Sequence, residues 1–315
     1  MEAFINTLHN ECLLELNGSL NENGPDLYHY TSLESCKNIL ENKTFRYTDI
    51  RYLNDPSELE NGLKIWVSVL SEFADQYRST DSKFSLFLTY IKHNIMIMTS
   101  LHSEKEEKIN DFSLELKQEF QRDQPHPPND IKIFIACFSE KPDDLRQWIP
   151  YGNDGNGASI GIQGCKNGLH NICDRGIVKV CYEPEQKKVE FLTNFINGLY
   201  KAYKEGNINP SDIMSNQVFY NLLIVDILAC KTEKYSDEQE WRLFHVTSGT
   251  SEEIKYYENH GIIKPYIDIS FEPNCVQEII IGPKTEKRLN TESMRALLRN
   301  NGYKETVKKS DITYR

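Results

Sequence analysis

Apolar residues recur at helical spacing through the first third of the chain. Leu59, Leu63, Trp66, Leu70, Phe73 and Tyr77 lie on one stripe of an amphipathic helix. Asp55-Pro56-Ser57-Glu58 marks its start, with a capping Asp, Pro at the first helical position and Glu three residues after the cap. Thr31-Ser32-Leu33-Glu34 has the capping-box pattern, and Leu33, Cys36 and Leu40 follow on one face. The same period predicts helices over about 82–103 and 105–122. Everything before residue 124 therefore reads as helical, apart from a short extended piece at 26–30.

The period then changes. Gln124-Pro125-His126-Pro127-Pro128-Asn129-Asp130 is a proline-rich connector, and beyond it strands and helices alternate. The apolar runs predict strands over 131–138, 158–162, 176–182, 240–246, 262–270 and 276–281. Helical patterns cover 143–151, 186–204, 211–231 and 284–300. The strands are too irregularly spaced for a doubly wound parallel sheet, so the fold class is α+β with a mixed or antiparallel sheet. The expected organisation is an N-terminal helix and linker (1–25), a core (26–55 and 131–300), a helical insertion (56–123), the connector (124–130) and a C-terminal extension (301–315).

Composition changes the picture only at the margins. In 315 residues, Lys+Arg is 36 and Asp+Glu is 47, a net charge of −11 that argues against a broad nucleic-acid surface. No apolar stretch approaches the ~18 residues of a membrane span. The acidic N-terminus does not resemble a signal peptide, so the cytoplasm is expected, with no membrane partner. The eight cysteines are scattered and form no C-x-x-C pair, as reduced thiols would be. The spacing of Cys165, His170, Cys173 and Cys181 fits no common zinc pattern, and no metal is expected. The common phosphate-loop, dinucleotide, serine-hydrolase and zinc-protease motifs are absent.

Three segments place polar residues at strand ends beside aromatics: Leu27-Tyr28-His29-Tyr30-Thr31-Ser32, Cys137-Phe138-Ser139-Glu140 with Trp148 and Tyr151 behind it, and Glu238-Gln239-Glu240-Trp241-Arg242. Each has a plain structural reading. His29 is then a satisfied strand histidine, Trp148 and Tyr151 are core, and Glu240-Trp241-Arg242 carries an exposed ion pair. Asp55 and Glu58 read as a helix cap, whereas the preceding Asn54 could close the mouth of a site, and Arg46 and Arg51 could accept phosphates, with solvated arginines as the plain reading.

YHYTS, RYLNDPSE, CFSEKPDDLRQWIPYG, SIGI, EQEWR and EIIIGP, in that order over residues 26–285, resemble a bacterial domain-of-unknown-function family, number twenty-nine seventy-one. A more remote resemblance is to the ADP-ribosyltransferases of the diphtheria-toxin and poly-ADP-ribose-polymerase kind. His29 in YHYTS matches their first-strand His, Phe138-Ser139 with Tyr151 or Trp148 matches their second piece, and Glu240 matches the catalytic Glu, with Glu238 completing an E-x-E. Two departures are Tyr30 in place of a small residue and the roughly hundred residues between the first two pieces.

That resemblance implies an ADP-ribosyltransferase fold with a helical insertion. It also implies NAD as substrate, a macromolecular acceptor (protein or nucleic acid) and a regulatory partner on the helical insertion. Cleaving the nicotinamide–ribose bond builds positive charge on the ribose, as in glycoside cleavage. Glu240 would stabilise that charge, Glu238 would take a proton from acceptor or water, Tyr151 or Trp148 would hold the nicotinamide ring, and His29 would donate to a ribose hydroxyl. Tyr28, Tyr30, Thr31, Asn54, Phe138, Ser139, Trp148 and Arg242 complete the implied cofactor site. Such an enzyme would suit a bacterial toxin or antiviral effector. Two rivals remain: a nucleotide- or nucleic-acid-binding sensor without turnover, and a metal-dependent nuclease built from Asp55, Glu58, Glu238 and Glu240.

Overall fold

In chain order the strands are β1 (Leu27–Thr31), β2 (Thr44–Asp49), β3 (Ile131–Ser139), β4 (Ala158–Ile162), β5 (Arg175–Lys179), β6 (Glu240–Ser248), β7 (Lys255–Asn259), β8 (Ile262–Ser270), β9 (Val276–Ile281) and β10 (Val307–Lys309). The helices are α1 (Leu33–Asn42), α2 (Ser57–Tyr77), α3 (Ser82–Met98), α4 (Leu145–Trp148), α5 (Glu185–Lys204), α6 (Pro210–Ile213), α7 (Gln217–Ala229) and α8 (Lys287–Asn300). The computed structural model describes residues 25–53, 57–98, 131–163, 175–214, 217–259 and 261–314. The strands form one open, mostly antiparallel sheet in the order β10-β9-β4-β1-β3-β2-β8-β7, with β6 and β5 branching from β3. The β9–β10 pair is parallel.

β3 is the branch point. One edge pairs with β6 along its whole length, from Ile131↔Ser248 to Ser139↔Glu240. The other edge is shared: β2 pairs at Phe134 and Ile135, and β1 pairs at Ser139. Between them, among the described residues, no strand pairs with Ala136, Cys137 and Phe138 on that edge. The sheet splits there.

Side-chain alternation sends residues of β3 and β6 to opposite faces. Ile133, Ile135, Phe244 and Val246 join a core with α2, α3, α5 and α7, while Phe134, Phe138, Trp241 and Leu243 join a second core with α1 and α8. The helices expected as an insertion thus share one core with the sheet. Trp148 packs with Tyr28, Tyr30 and Ile280 in a small third cluster.

Several elements differ from expectation. Residues 44–49 form a strand where helix was expected, because Phe45 and Tyr47 alternate with Arg46 and Thr48 and face the second core. β7 and β10 were not expected, and β10 lies in the segment assigned to an extension. The helix expected over 211–231 is divided into α6 and α7. The α1 cap is Ser32, whose hydroxyl accepts from Ser35 N at 3.0 Å, so the third helical position is Ser35 rather than Glu34. The N-terminal helix, the helix over 105–122, the connector, Asn54, the Asp55-Pro56 cap and the cysteine cluster up to Cys173 lie outside the described residues.

Candidate functional site

A cleft of about 270 Å³ opens where the sheet splits. Tyr28, Tyr30 and His29 line it from β1, Cys137 and Phe138 from β3, and Arg46 and Thr48 from β2. Tyr151 borders it just beyond α4, Glu240 reaches it at the start of β6 and Glu238 from the 3-10 turn just before that strand.

His29 fills part of the split. Its Nδ1 lies 3.0 Å from the Cys137 carbonyl oxygen, and its ring packs against Phe45 and Phe138. Desolvation lowers its pKa below the usual 6.5, outweighing the upward pull of that carbonyl. The imidazole is therefore neutral at pH 7, with its proton on Nδ1 donated to Cys137 and Nε2 left as an acceptor. With that N–H committed to Cys137, the neutral ring has no donor left for the donation expected of His29.

The deep end is an ionic cluster. Lys231, two residues past α7, donates from Nζ to Glu238 at 2.6 Å and to Glu240 at 2.8 Å. Arg242 donates from Nε to Glu240 at 2.8 Å and from a terminal nitrogen to the Leu228 carbonyl at 2.9 Å. Burial alone would raise the pKa of Glu240, but Arg242 and Lys231 more than offset it and hold the carboxyl at about 2. The Glu240 amide donates to the Tyr182 hydroxyl at 2.9 Å. Backbone bonds fix Lys231 in turn: its carbonyl accepts from buried Lys188 at 2.9 Å, and its amide donates to the Cys181 carbonyl.

Glu238 and Glu240 were expected to share a face by strand alternation. Glu238 instead ends a 3-10 turn, Glu233–Glu238, and Gln239 adopts a left-handed conformation at φ 45°. That backbone reversal, held by the Ser139 hydroxyl donating to the Glu238 carbonyl at 2.6 Å, turns both carboxylates to one ammonium.

Not every expected site residue reaches the cleft. Trp148 is fully buried, with its indole N–H donated to Asp143 at 2.6 Å, so it is core and not a ring platform. α4 is a single turn, and backbone bonds of helical spacing continue past it (Tyr151 to Gln147 and Gly152 to Trp148, both 3.1 Å), yet of Trp148 and Tyr151 only Tyr151 reaches the cleft. Tyr151 stays 38% exposed at the cleft, and desolvation together with Glu238 raises its hydroxyl pKa. Arg242 sits behind Glu240, Ser139 braces the turn, and Thr31 pairs with Ala158; none of the three lines the cleft. Tyr30 lines it with its hydroxyl tied to the Lys141 carbonyl at 2.7 Å.

Lys231, Lys264 and Tyr257 line the cleft without having been anticipated, and Arg46, weighed as a phosphate acceptor against a solvated arginine, lines it too. Arg46 and Tyr257 lie on the unexpected strands β2 and β7, and Lys231 follows a long apolar helix with no local mark. The period-two alternation of Phe45-Arg46-Tyr47-Thr48 was the signal available for Arg46.

Residues 147–243 match the family described as Protein of unknown function (DUF2971). The resemblance to that family read from the motifs holds over this span. The DUF2971 match includes Tyr151, Lys231, Glu238, Glu240 and Arg242, while β1, β2 and the β7–β8 hairpin lie outside it. No curated protein and no solved structure matches the chain. No helix among the described residues is long and apolar enough to cross a membrane.

Proposed function

We propose that the cleft binds NAD⁺ and cleaves its nicotinamide–ribose bond, passing ADP-ribose to a protein or nucleic-acid acceptor or to water. The observation that carries this reading is convergence: His29, Tyr151, Glu238 and Glu240, from three remote segments, line one cleft. Tyr151 offers an aromatic face to the nicotinamide ring. Glu240 is ionised at neutral pH and held in place by two cations, ready to accept a hydrogen bond from the ribose 2′-hydroxyl as positive charge grows on the sugar. The His29 Nε2 accepts from a second ribose hydroxyl. As the bond breaks, its electron pair leaves with nicotinamide. The acceptor oxygen or water then attacks C1′, and its proton passes to Glu238. Resemblance to the ADP-ribosyltransferases supports a role as a bacterial toxin or antiviral effector acting in the cytoplasm.

One observation favours a second reading, a nucleotide sensor without turnover. Lys231 and Arg242 match the two carboxylates charge for charge, which weakens the field that Glu240 can exert on a developing cation. The same ammonium stands between Glu238 and Glu240, where a shared metal ion would have to sit, and this argues against the nuclease reading.

The test is an incubation with NAD⁺, followed by chromatography of nicotinamide and ADP-ribose and by a search for labelled acceptor in lysate. Release by the wild type, reduced ~100-fold or more in Glu238→Gln while NAD⁺ binding persists in calorimetry, is the expected result. Binding without release selects the sensor. Neither binding nor release overturns both.

A further inference from the structure

The two ends of the cleft differ in charge. At the deep end, Lys231 and Arg242 are paired with Glu238 and Glu240. At the other end, Arg46 and Lys264 line the cleft, and among the described residues neither forms an ion pair with a carboxylate. Asp268, opposite Arg46 in the β2–β8 ladder, is taken by Lys255 at 2.9 Å. Among the described residues, Lys264 donates only to a backbone carbonyl, that of Tyr52, at 3.1 Å. A protein of net charge −11 thus keeps two cations at one end of its cleft with no carboxylate ion-paired to them among the described residues.

Arg46 is also preorganised. Its guanidinium lies 4.6 Å from the Tyr257 ring centre and 4.2 Å from that of Tyr266. Rings hold the plane without using its N–H donors, which remain available to an anion. β2 carries Arg46 and Thr48 on the cleft side, and β7–β8 supplies Tyr257, Tyr266 and Lys264.

We infer that Arg46 and Lys264 form a diphosphate-binding arm, so that the ligand is a nucleoside diphosphate derivative lying with its phosphates toward the β7–β8 hairpin and its reacting sugar toward Glu240. This orientation rests on the reading of the cleft as an NAD⁺ site; the phosphate arm itself does not require turnover. A guanidinium fork and an ammonium lining the same cleft suit two adjacent phosphoryl groups.

The experiment is a calorimetric titration with ADP and with adenosine of the wild type, Arg46→Ala, Arg46→Lys and Lys264→Ala, with thermal melts for each variant. The expected result is ADP affinity weakened ~10–100-fold in Arg46→Ala and less in Lys264→Ala. Arg46→Lys should recover only part of it, because an ammonium lacks the planar fork. Adenosine binding should not change. Should Arg46→Ala fold poorly, Lys264→Ala and Arg46→Lys carry the test. ADP affinity unchanged in every variant, equal losses for ADP and adenosine, or no ADP binding by the wild type overturns the inference. Nicotinamide release combined with Arg46-independent ADP binding sinks the arm and spares the NAD⁺ reading. Arg46-dependent ADP binding without release does the reverse.

Discussion

A single ammonium holds two carboxylates at the deep end of the cleft, and its removal has a calculable effect. Lys231 and Glu240 have side chains 3% and 8% exposed, so the pair is desolvated. Lys231→Met would leave Glu238 and Glu240 facing each other and should destabilise the fold by ~3–5 kcal/mol, measured by urea unfolding. The wild type should also show the signature of Glu240. Its pKa is about 2 folded against 4.5 as a free group, so the unfolded chain binds more protons between those values. Stability from this group is complete above pH 4.5 and is lost as pH falls toward 2, a total of ~3 kcal/mol. His29 acts in a higher window. Its folded pKa lies below 6.5, so its neutral form favours the folded state, and stability declines as pH drops beneath 6.5. Unfolding free energies between pH 7 and 5 should fall less steeply in His29→Gln than in the wild type; equal slopes would mean His29 titrates normally.

At the level of elements, the position of Lys231 depends on how α7 packs against α2. A Cβ at Gly62 on α2 would lie 2.6 Å from the Ile227 carbonyl and 3.1 Å from the Cys230 side chain, next to Lys231. Gly62→Val should force the helices apart, lowering stability by ~1–3 kcal/mol in denaturant titrations. Legibility also varied by element. β3, β4, β6, β8 and β9 were visible because apolar runs of strand length stood between turn signals. β2 was hidden by the helix before it and the strong cap signal after it, although its residues alternate. β7 carries Lys255, Tyr256 and Glu258, and β10 is three residues long, so neither has an apolar run. The missed strands carry Arg46 and Tyr257, so Arg46 could be weighed as a phosphate acceptor but not placed at the cleft beside Tyr257 and Lys264.

In the molecule as a whole, the site arises where a strand changes partners. β1 and β2 share one edge of β3, and the gap between them is the place where segments remote in sequence meet. The candidate residues His29, Tyr151, Glu238 and Glu240 could be chosen from strand-end chemistry and resemblance, but their ionic environment could not. Lys231 reaches Glu240 through the packing of α7 and the isolated parallel backbone pairing of residues 181 and 230, contacts with no short-range signature. The most direct measurement is a crystal structure of Glu238→Gln soaked with NAD⁺. The expected density places nicotinamide against Tyr151, a ribose hydroxyl within hydrogen-bond distance of Glu240 and the diphosphate at Arg46. NAD⁺ bound elsewhere, or an unchanged cleft at saturating NAD⁺, would contradict the account.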